Sequence, residues 1–184
     1  MWTTARRFLV ASPGLHLRST LCAALCTLLA AVALAQQPPK AKKLIEYGWD
    51  VPYPDFVRQN IREMEKLPFE GLIFRLPKGT NVFTRDKWDE AQFAQVMDDC
   101  KNIQWQKFTD NFVSVLAAST MDWFSDADWE AVRHNLGIVA KAAALARCRG
   151  LCFDAEPYGN NPWSYSNQAR SKDKSFAEYE AKAR

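Results

Sequence analysis

An α/β fold with a parallel sheet is predicted by three features of this 184-residue chain. Four short apolar runs alternate with four stretches whose apolar residues recur at helical spacing. Repetition in that order calls for parallel strands joined by right-handed crossovers. The fourth run, Gly150-Leu151-Cys152-Phe153, delivers Asp154 and Glu156 and then stops at Pro157, as expected of a site at the strand ends of a β/α fold. Neither Gly-x-Gly-x-x-Gly nor a P-loop follows any run. An open doubly wound sheet fits the strand order too, but it loses its main nucleotide-binding argument, and a (β/α) barrel is favoured.

A leader precedes the repeats. Arg6, Arg7 and Arg18 come before an uncharged apolar run from Leu21 to Leu34, and Ala33-Leu34-Ala35 supplies the small-x-small pattern that signal peptidase prefers. Residues 1–35 are expected to be a cleaved secretory signal peptide. The alternative is an uncleaved anchor, since the run lies at the short edge of the roughly 17–25 residues a spanning helix needs. Arg6-Arg7-Phe8-Leu9 lacks the intervening residue of a twin-arginine signal and sits far from the apolar run. Removing the leader takes three arginines and no acid, which brings the 24 Lys and Arg down to 21, equal to the 21 Asp and Glu. With no basic stripe, a nucleic-acid partner is not expected. The mature protein is expected to be exported, periplasmic or extracellular, without stable membrane association once the signal is cleaved.

Residues 36–43 read as a Pro- and Lys-containing linker. Leu44 to Trp49 reads as the first strand, and Pro52 and Pro54 break it before a helix with Val57, Ile61 and Met64 on one face. Pro68 ends that helix. Phe69 to Leu76 forms the second strand, with Leu72, Ile73 and Phe74 adjacent as when both faces are covered. The second helix carries Phe93, Val96, Met97, Cys100 and Ile103, and Phe112 to Ala117 is the third strand. Ser125 and Asp128 resemble a capping box, opening a helix lined by Val132, Leu136, Val139, Ala140 and Ala143. Gly150 is placed where a helix C-cap leads into the fourth strand. A last helix starts at the capping box Ser175/Glu178, only nine residues before Arg184. Such a start so near the end predicts the N-terminal part of a longer protein or a truncated product.

Cys100, Cys148 and Cys152 match no zinc spacing. They read as buried free thiols, with a Cys100–Cys148 disulfide open in an exported protein. The two histidines, His16 and His134, are too few for His-rich zinc chemistry or a Ser-His-Asp triad. No metal and no cofactor are expected.

Side chains alternate along a strand, so Asp154 and Glu156 share a face with Cys152, while Leu151, Phe153 and Ala155 point the other way. Covering the second set with a helix turns both acids toward a mouth. Their Cα atoms lie roughly 6–7 Å apart by strand rise, close enough for each to raise the other's pKa and favour a protonated Glu156. The alternative for Asp154 is a salt bridge to Arg75 at a neighbouring strand end. Trp49, Trp123, Tyr158, Trp163 and Tyr165 follow strands one, three and four. Their flat rings suit the C–H faces of a sugar, whereas Trp88, Trp105 and Trp129, on or beside helices, read as core. Of Glu46 and Asp50, the latter is nearer the strand's carboxyl end.

Taken together, Glu46-Tyr47-Gly48-Trp49-Asp50, Glu65-Lys66-Leu67-Pro68-Phe69-Glu70-Gly71, Phe108-Thr109-Asp110-Asn111-Phe112, Asp122-Trp123-Phe124 and Phe153-Asp154-Ala155-Glu156 resemble secreted glycoside-hydrolase-like (β/α)8-barrel proteins. The resemblance covers the mature region from Ile45 onward. It implies that residues 44–184 are the first four β/α units of an incomplete TIM barrel, about half of one, since a complete barrel typically needs about 250 residues. It implies hydrolysis of glycosidic bonds in a saccharide ligand, with the acid/base glutamate at the end of strand four. Glu156 falls there, with Ala155 where Asn commonly stands. The partner carboxylate of such enzymes comes from strand seven, which this chain does not reach, so residues 36–184 alone are expected to be inactive. Candidate catalytic residues are therefore Glu156 and Asp154, and candidate saccharide-binding residues are Trp49, Asp50, Arg75, Trp123, Tyr158 and Trp163. A non-catalytic carbohydrate-binding or degenerate exported barrel is the alternative. In the barrel reading both acids lie at the carboxyl end of a central parallel strand and share an open face with Trp49, Asp50 and Arg75.

Overall fold

Strands and helices alternate in the order the sequence predicts. In a computed structural model, which describes residues 42–77, 81–156 and 163–184, the elements are β1 (Ile45–Glu46), α1 (Pro54–Met64), β2 (Gly71–Phe74), α2 (Ala94–Asn102), β3 (Phe112–Leu116), α3 (Asp126–Leu145), β4 (Gly150–Asp154) and α4 (Phe176–Ala183). All pairings are parallel and the strand order is β1-β2-β3-β4. The sheet belongs to the unit Lys43–Arg184. The leader and most of the linker fall outside the described residues, among which no helix is long and apolar enough to cross a membrane.

Register divides the sheet into two chemically different faces. Phe74 lies beside Val113, and Val113 and Val115 lie beside Leu151 and Phe153. Leu72, Phe74, Val113 and Val115 join Val57 and Ile61 of α1, Val96 and Cys100 of α2, and Ile138, Val139, Ala142 and Ala143 of α3 in one apolar core. The three crossover helices therefore cover the same face. The other face carries Ile73, Ser114, Leu116, Cys152 and Asp154, none of which belongs to that core. A doubly wound sheet, by contrast, places helices on both faces.

Several elements differ from their sequence reading. β1 is two residues long, not six: its ladder stops at Glu46 opposite Leu72, and Tyr47 onward leaves the sheet so that Pro52 can accept the Arg75 N–H at 3.0 Å. β2 is shortened at its start, where the buried Asn111 side chain accepts the Leu72 N–H at 3.1 Å and donates to the Phe108 carbonyl at 3.0 Å. The second helix opens with a 3₁₀ turn over Glu90–Phe93, capped by the Asp89 side chain. Ser125 accepts from the Asp128 N–H as an N-cap, but Asp128 is too short to return the bond and instead takes the Asp122 N–H and the Ser125 hydroxyl. Ala140 is exposed, and Ala131, Asn135, Ile138 and Ala142 fill the inward stripe of α3. Asn135, fully buried, accepts from the Trp88 N–H and donates to the Asp86 carbonyl, both at 3.0 Å.

The exit of α3 does not use Gly150. Arg147 takes the left-handed conformation at φ 54°, with Cys148 N–H donating to the Ala143 carbonyl and Arg147 N–H to that of Ala144, the pattern of a Schellman cap. A non-glycine residue there costs about 1–2 kcal/mol, offset by the guanidinium, which donates to the Ile103 carbonyl at 2.6 Å. Gly150 is instead the first residue of β4.

β4 is an edge strand of the described sheet, not a central one. Its outward residues were expected under a helix, yet Leu151 and Phe153 are 37% and 55% exposed. Residues 163–184 leave their helix-side flank open apart from Trp163, whose ring meets Phe153 at 6.1 Å. That segment is held instead against the β3–α3 loop. Tyr179 packs edge-on against Phe124, Arg170 pairs with Asp122 at 2.7 Å, and Ser175/Glu178 form a reciprocal capping box at the start of α4.

Cys100, Cys148 and Cys152 are all free thiols. Burial pushes the Cys100 and Cys148 thiols up to about 12, which makes them inert apolar fillers.

Candidate functional site

Strand exits position the site. At the carboxyl ends of β1 to β4 lies a cavity of about 450 Å³ lined by Tyr47, Trp49, Arg75, Ser114, Asp154 and Glu156, among others. Its residues come from all four strands or the turns just after them. The two-residue β1 matters here, because it frees Tyr47 to Val51 to fold over the mouth. Trp49 is 92% exposed, an indole ring held at the rim with its faces open to water. Ser114, 4% exposed, is the single polar residue of β3, and its small side chain leaves room above the sheet.

Asp154 is fixed by two donors. The Tyr47 phenol donates to its Oδ2 at 2.6 Å, and the Glu156 backbone N–H donates to its Oδ1 at 3.2 Å. The hydrogen bond to Asp154, aided by burial and by the carboxylate's charge, pushes the Tyr47 phenol up to about 12. At neutral pH Tyr47 is therefore a hydrogen-bond donor and not a nucleophile. Arg75 is held differently. Its N–H is tied to Pro52, its guanidinium lies over the Tyr53 ring at 5.0 Å, and its Nε is buried without a hydrogen-bond partner. The Arg75–Asp154 salt bridge considered above does not form: Asp154 is turned to the Tyr47 phenol and the Glu156 N–H, and Arg75 to the Tyr53 ring.

Of the residues singled out from sequence, the structure brings Asp154, Glu156, Trp49 and Arg75 to one cavity. Asp50 is exposed on the adjoining turn and does not line it. Glu46 is paired beside Leu72, on the helix side, where burial raises its pKa. Trp123 and Trp163 line a second, smaller cavity of about 210 Å³ with Tyr165, Phe176 and Tyr179, so they do not meet the two acids. Tyr158 lies outside the described residues. Trp88, Trp105 and Trp129 are structural: Trp88 stacks on Phe93, Trp105 donates to the Ala146 carbonyl, and Trp129 donates to the Trp123 carbonyl. His134 approaches the Trp88 carbonyl at 2.8 Å. Among the described residues there is no group of three metal-ligating side chains.

Tyr47 and Ser114 are the site residues that the sequence reading passed over. Tyr47 carried a usable signal, since a strand that ends at Glu46 puts it on the face opposite the helix layer. Ser114 carried another, as a lone hydroxyl within Phe-Val-Ser-Val-Leu.

Comparison with family models, with curated proteins and with solved structures gave no match.

Proposed function

We propose that the cavity at the strand ends is the saccharide cleft of an exported glycoside-hydrolase-like protein, and that the four-stranded parallel sheet is part of the wall of a (β/α)8 barrel. The observation that carries this reading is the convergence of Asp154, Glu156, Arg75 and the exposed Trp49 on one cavity. An aromatic face at the rim suits the C–H face of a pyranose ring, and the polar groups beneath it suit its hydroxyls.

Glycoside hydrolysis requires one carboxyl to give its proton to the leaving oxygen and one carboxylate to stabilise or attack the oxocarbenium-like centre. Glu156, exposed at the mouth, takes the first role in this reading. Asp154, with an acceptor bond from Tyr47, suits the ionised role. A second reading, saccharide binding without hydrolysis, is favoured by one detail: both Asp154 oxygens are already engaged, which lowers their availability to a reacting carbon.

Calorimetric titration with a panel of oligosaccharides, together with turnover of aryl glycosides by the wild type and by Glu156→Gln, tests both readings. Saccharide binding with turnover that falls at least a hundredfold in Glu156→Gln, within the usual range for a general acid, supports the hydrolase. Binding without turnover is the outcome expected of residues 36–184 alone and keeps the saccharide cleft, whereas turnover assigns the second carboxylate to Asp154. Failure to bind any saccharide overturns both.

A further inference from the structure

We infer that the cleft selects a saccharide bearing a carboxylate, and that Arg75 is the residue that reads it. The inference rests on the saccharide reading above and names its substrate class.

Arg75 is a cavity-lining cation with no ion-pair partner among the described residues. It is half-buried. Its Nε has lost water without gaining an acceptor, an arrangement that costs free energy unless something else supplies one. The two acids in the same cavity do not do so. Asp154 is turned to Tyr47 and to its own Asx turn, and Glu156 forms no ion pair with Arg75.

The guanidinium is also pre-positioned. The Tyr53 ring beneath it and the Arg75 N–H bond to Pro52 hold the planar group in place before any ligand arrives. A fixed planar fork with free N–H groups matches the two oxygens of a carboxylate, and a lysine's point charge does not. A neutral sugar leaves that fork unpaired in a cleft it has partly dried. A hexuronate residue pairs it, with its ring still free to rest on Trp49. Tyr47 has a second part in this design: by holding Asp154 it stops the protein's own acid from filling the arginine's site.

The test is direct binding by calorimetry of an oligohexuronate and of the neutral oligosaccharide with the same linkage, with inorganic sulfate and phosphate as separate probes, to the full chain. The wild type should bind the uronide about tenfold or more tighter than the neutral sugar. Arg75→Gln should abolish that preference, bringing the two affinities to within about twofold of each other. Arg75→Lys, which keeps the charge and loses the fork, should recover only part of it. Equal wild-type affinities for the acidic and neutral sugars overturn the inference and leave the saccharide reading standing, and this comparison needs no variant to fold. Binding of neither sugar overturns the saccharide reading as well. Sulfate or phosphate bound as tightly as the uronide makes Arg75 a general oxyanion site and overturns the assignment to a sugar acid.

Discussion

Tyr47 and Asp154, 107 residues apart, share a 2.6 Å hydrogen bond between phenol and carboxylate. The first leaves β1 and the second ends β4, so three strand spacings separate them, roughly 14 Å in a flat sheet. The bond forms because Tyr47 has left the sheet after the two-residue β1, and it ties the β1 exit to the end of β4 across the helix-free face. It also fixes where one negative charge sits in the cavity, because it holds the Asp154 carboxylate toward Tyr47.

The alkaline limb of stability should carry the signature of this bond. Tyr47 has a folded pKa raised from 10.0 to about 12, so its contribution is present in full below pH 10 and is lost as pH rises through the folded value. Tyr47→Phe lacks the group. The stability gap between wild type and variant should narrow across that window, measured by urea midpoints on either side of it. A gap that stays constant places the stabilisation outside the Tyr47–Asp154 bond.

Glu65 should be the most costly surface-proximal acid to remove. Its Oε1 accepts from the backbone N–H groups of Gln106, Lys107 and Phe108 at 2.8, 2.8 and 3.1 Å, and Oε2 pairs with Arg62 at 3.0 Å. Burial pushes this carboxyl upward, but the three N–H groups and Arg62 outweigh it and hold the pKa below the ordinary value. Glu65→Ala orphans three donors and should cost about 3 kcal/mol, whereas Glu65→Gln keeps an acceptor and should cost about half as much. Because the folded pKa is depressed, the stability contributed by the charge is present above the ordinary carboxylate pKa and is lost as pH falls through the folded one. Glu65→Gln should therefore flatten part of the acid limb in denaturation curves.

Two glycines should respond to alanine with opposite signs. A Cβ on Gly71 would overlap the Asp110 carbonyl, where the start of β2 passes the β3 entry loop. Gly71→Ala should lose about 3 kcal/mol through forced backbone movement. Gly137 lies exposed in α3 with no atom near the added Cβ, and Gly137→Ala should gain about 0.8–1 kcal/mol from helix propensity. Chemical denaturation of the pair gives both signs in one experiment.

Export predicts a particular amino terminus. Mass spectrometry of the exported protein should find Gln36 first, cyclised or not, after cleavage behind Ala35. An intact Met1 terminus in a membrane fraction would establish the anchor instead.

The strand–helix order was legible because each helix repeats its apolar residues at 3.6-residue spacing and each strand is short and apolar. Val57 with Ile61, and Val96 with Cys100, could be read directly. Element ends were harder, since they depend on partners distant in sequence. Nothing near Leu72 reveals that the Asn111 side chain will take its N–H, and Arg147 carries no local mark of a left-handed cap, whose bonds depend on Ala143, Ala144 and Ile103. At the site, Asp154 and Glu156 were visible as charges at the end of an apolar run. Tyr47 was not, because its role depends on Asp154, a partner 107 residues away. Trp123 and Trp163 were assigned to the cleft on chain order alone, and their rings follow α4 into a different cavity.

The alternation along β3 separates two kinds of inheritance. Val113 and Val115 are committed to the helix layer, and any change there is felt throughout that core. Ser114 and Leu116, one residue away in each case, touch the cleft and not that core. Substitution at the even-numbered positions Ser114 and Leu116 can thus reshape the cavity while Val113 and Val115 keep the packing against the helices, so a change of cavity shape need not cost foldability.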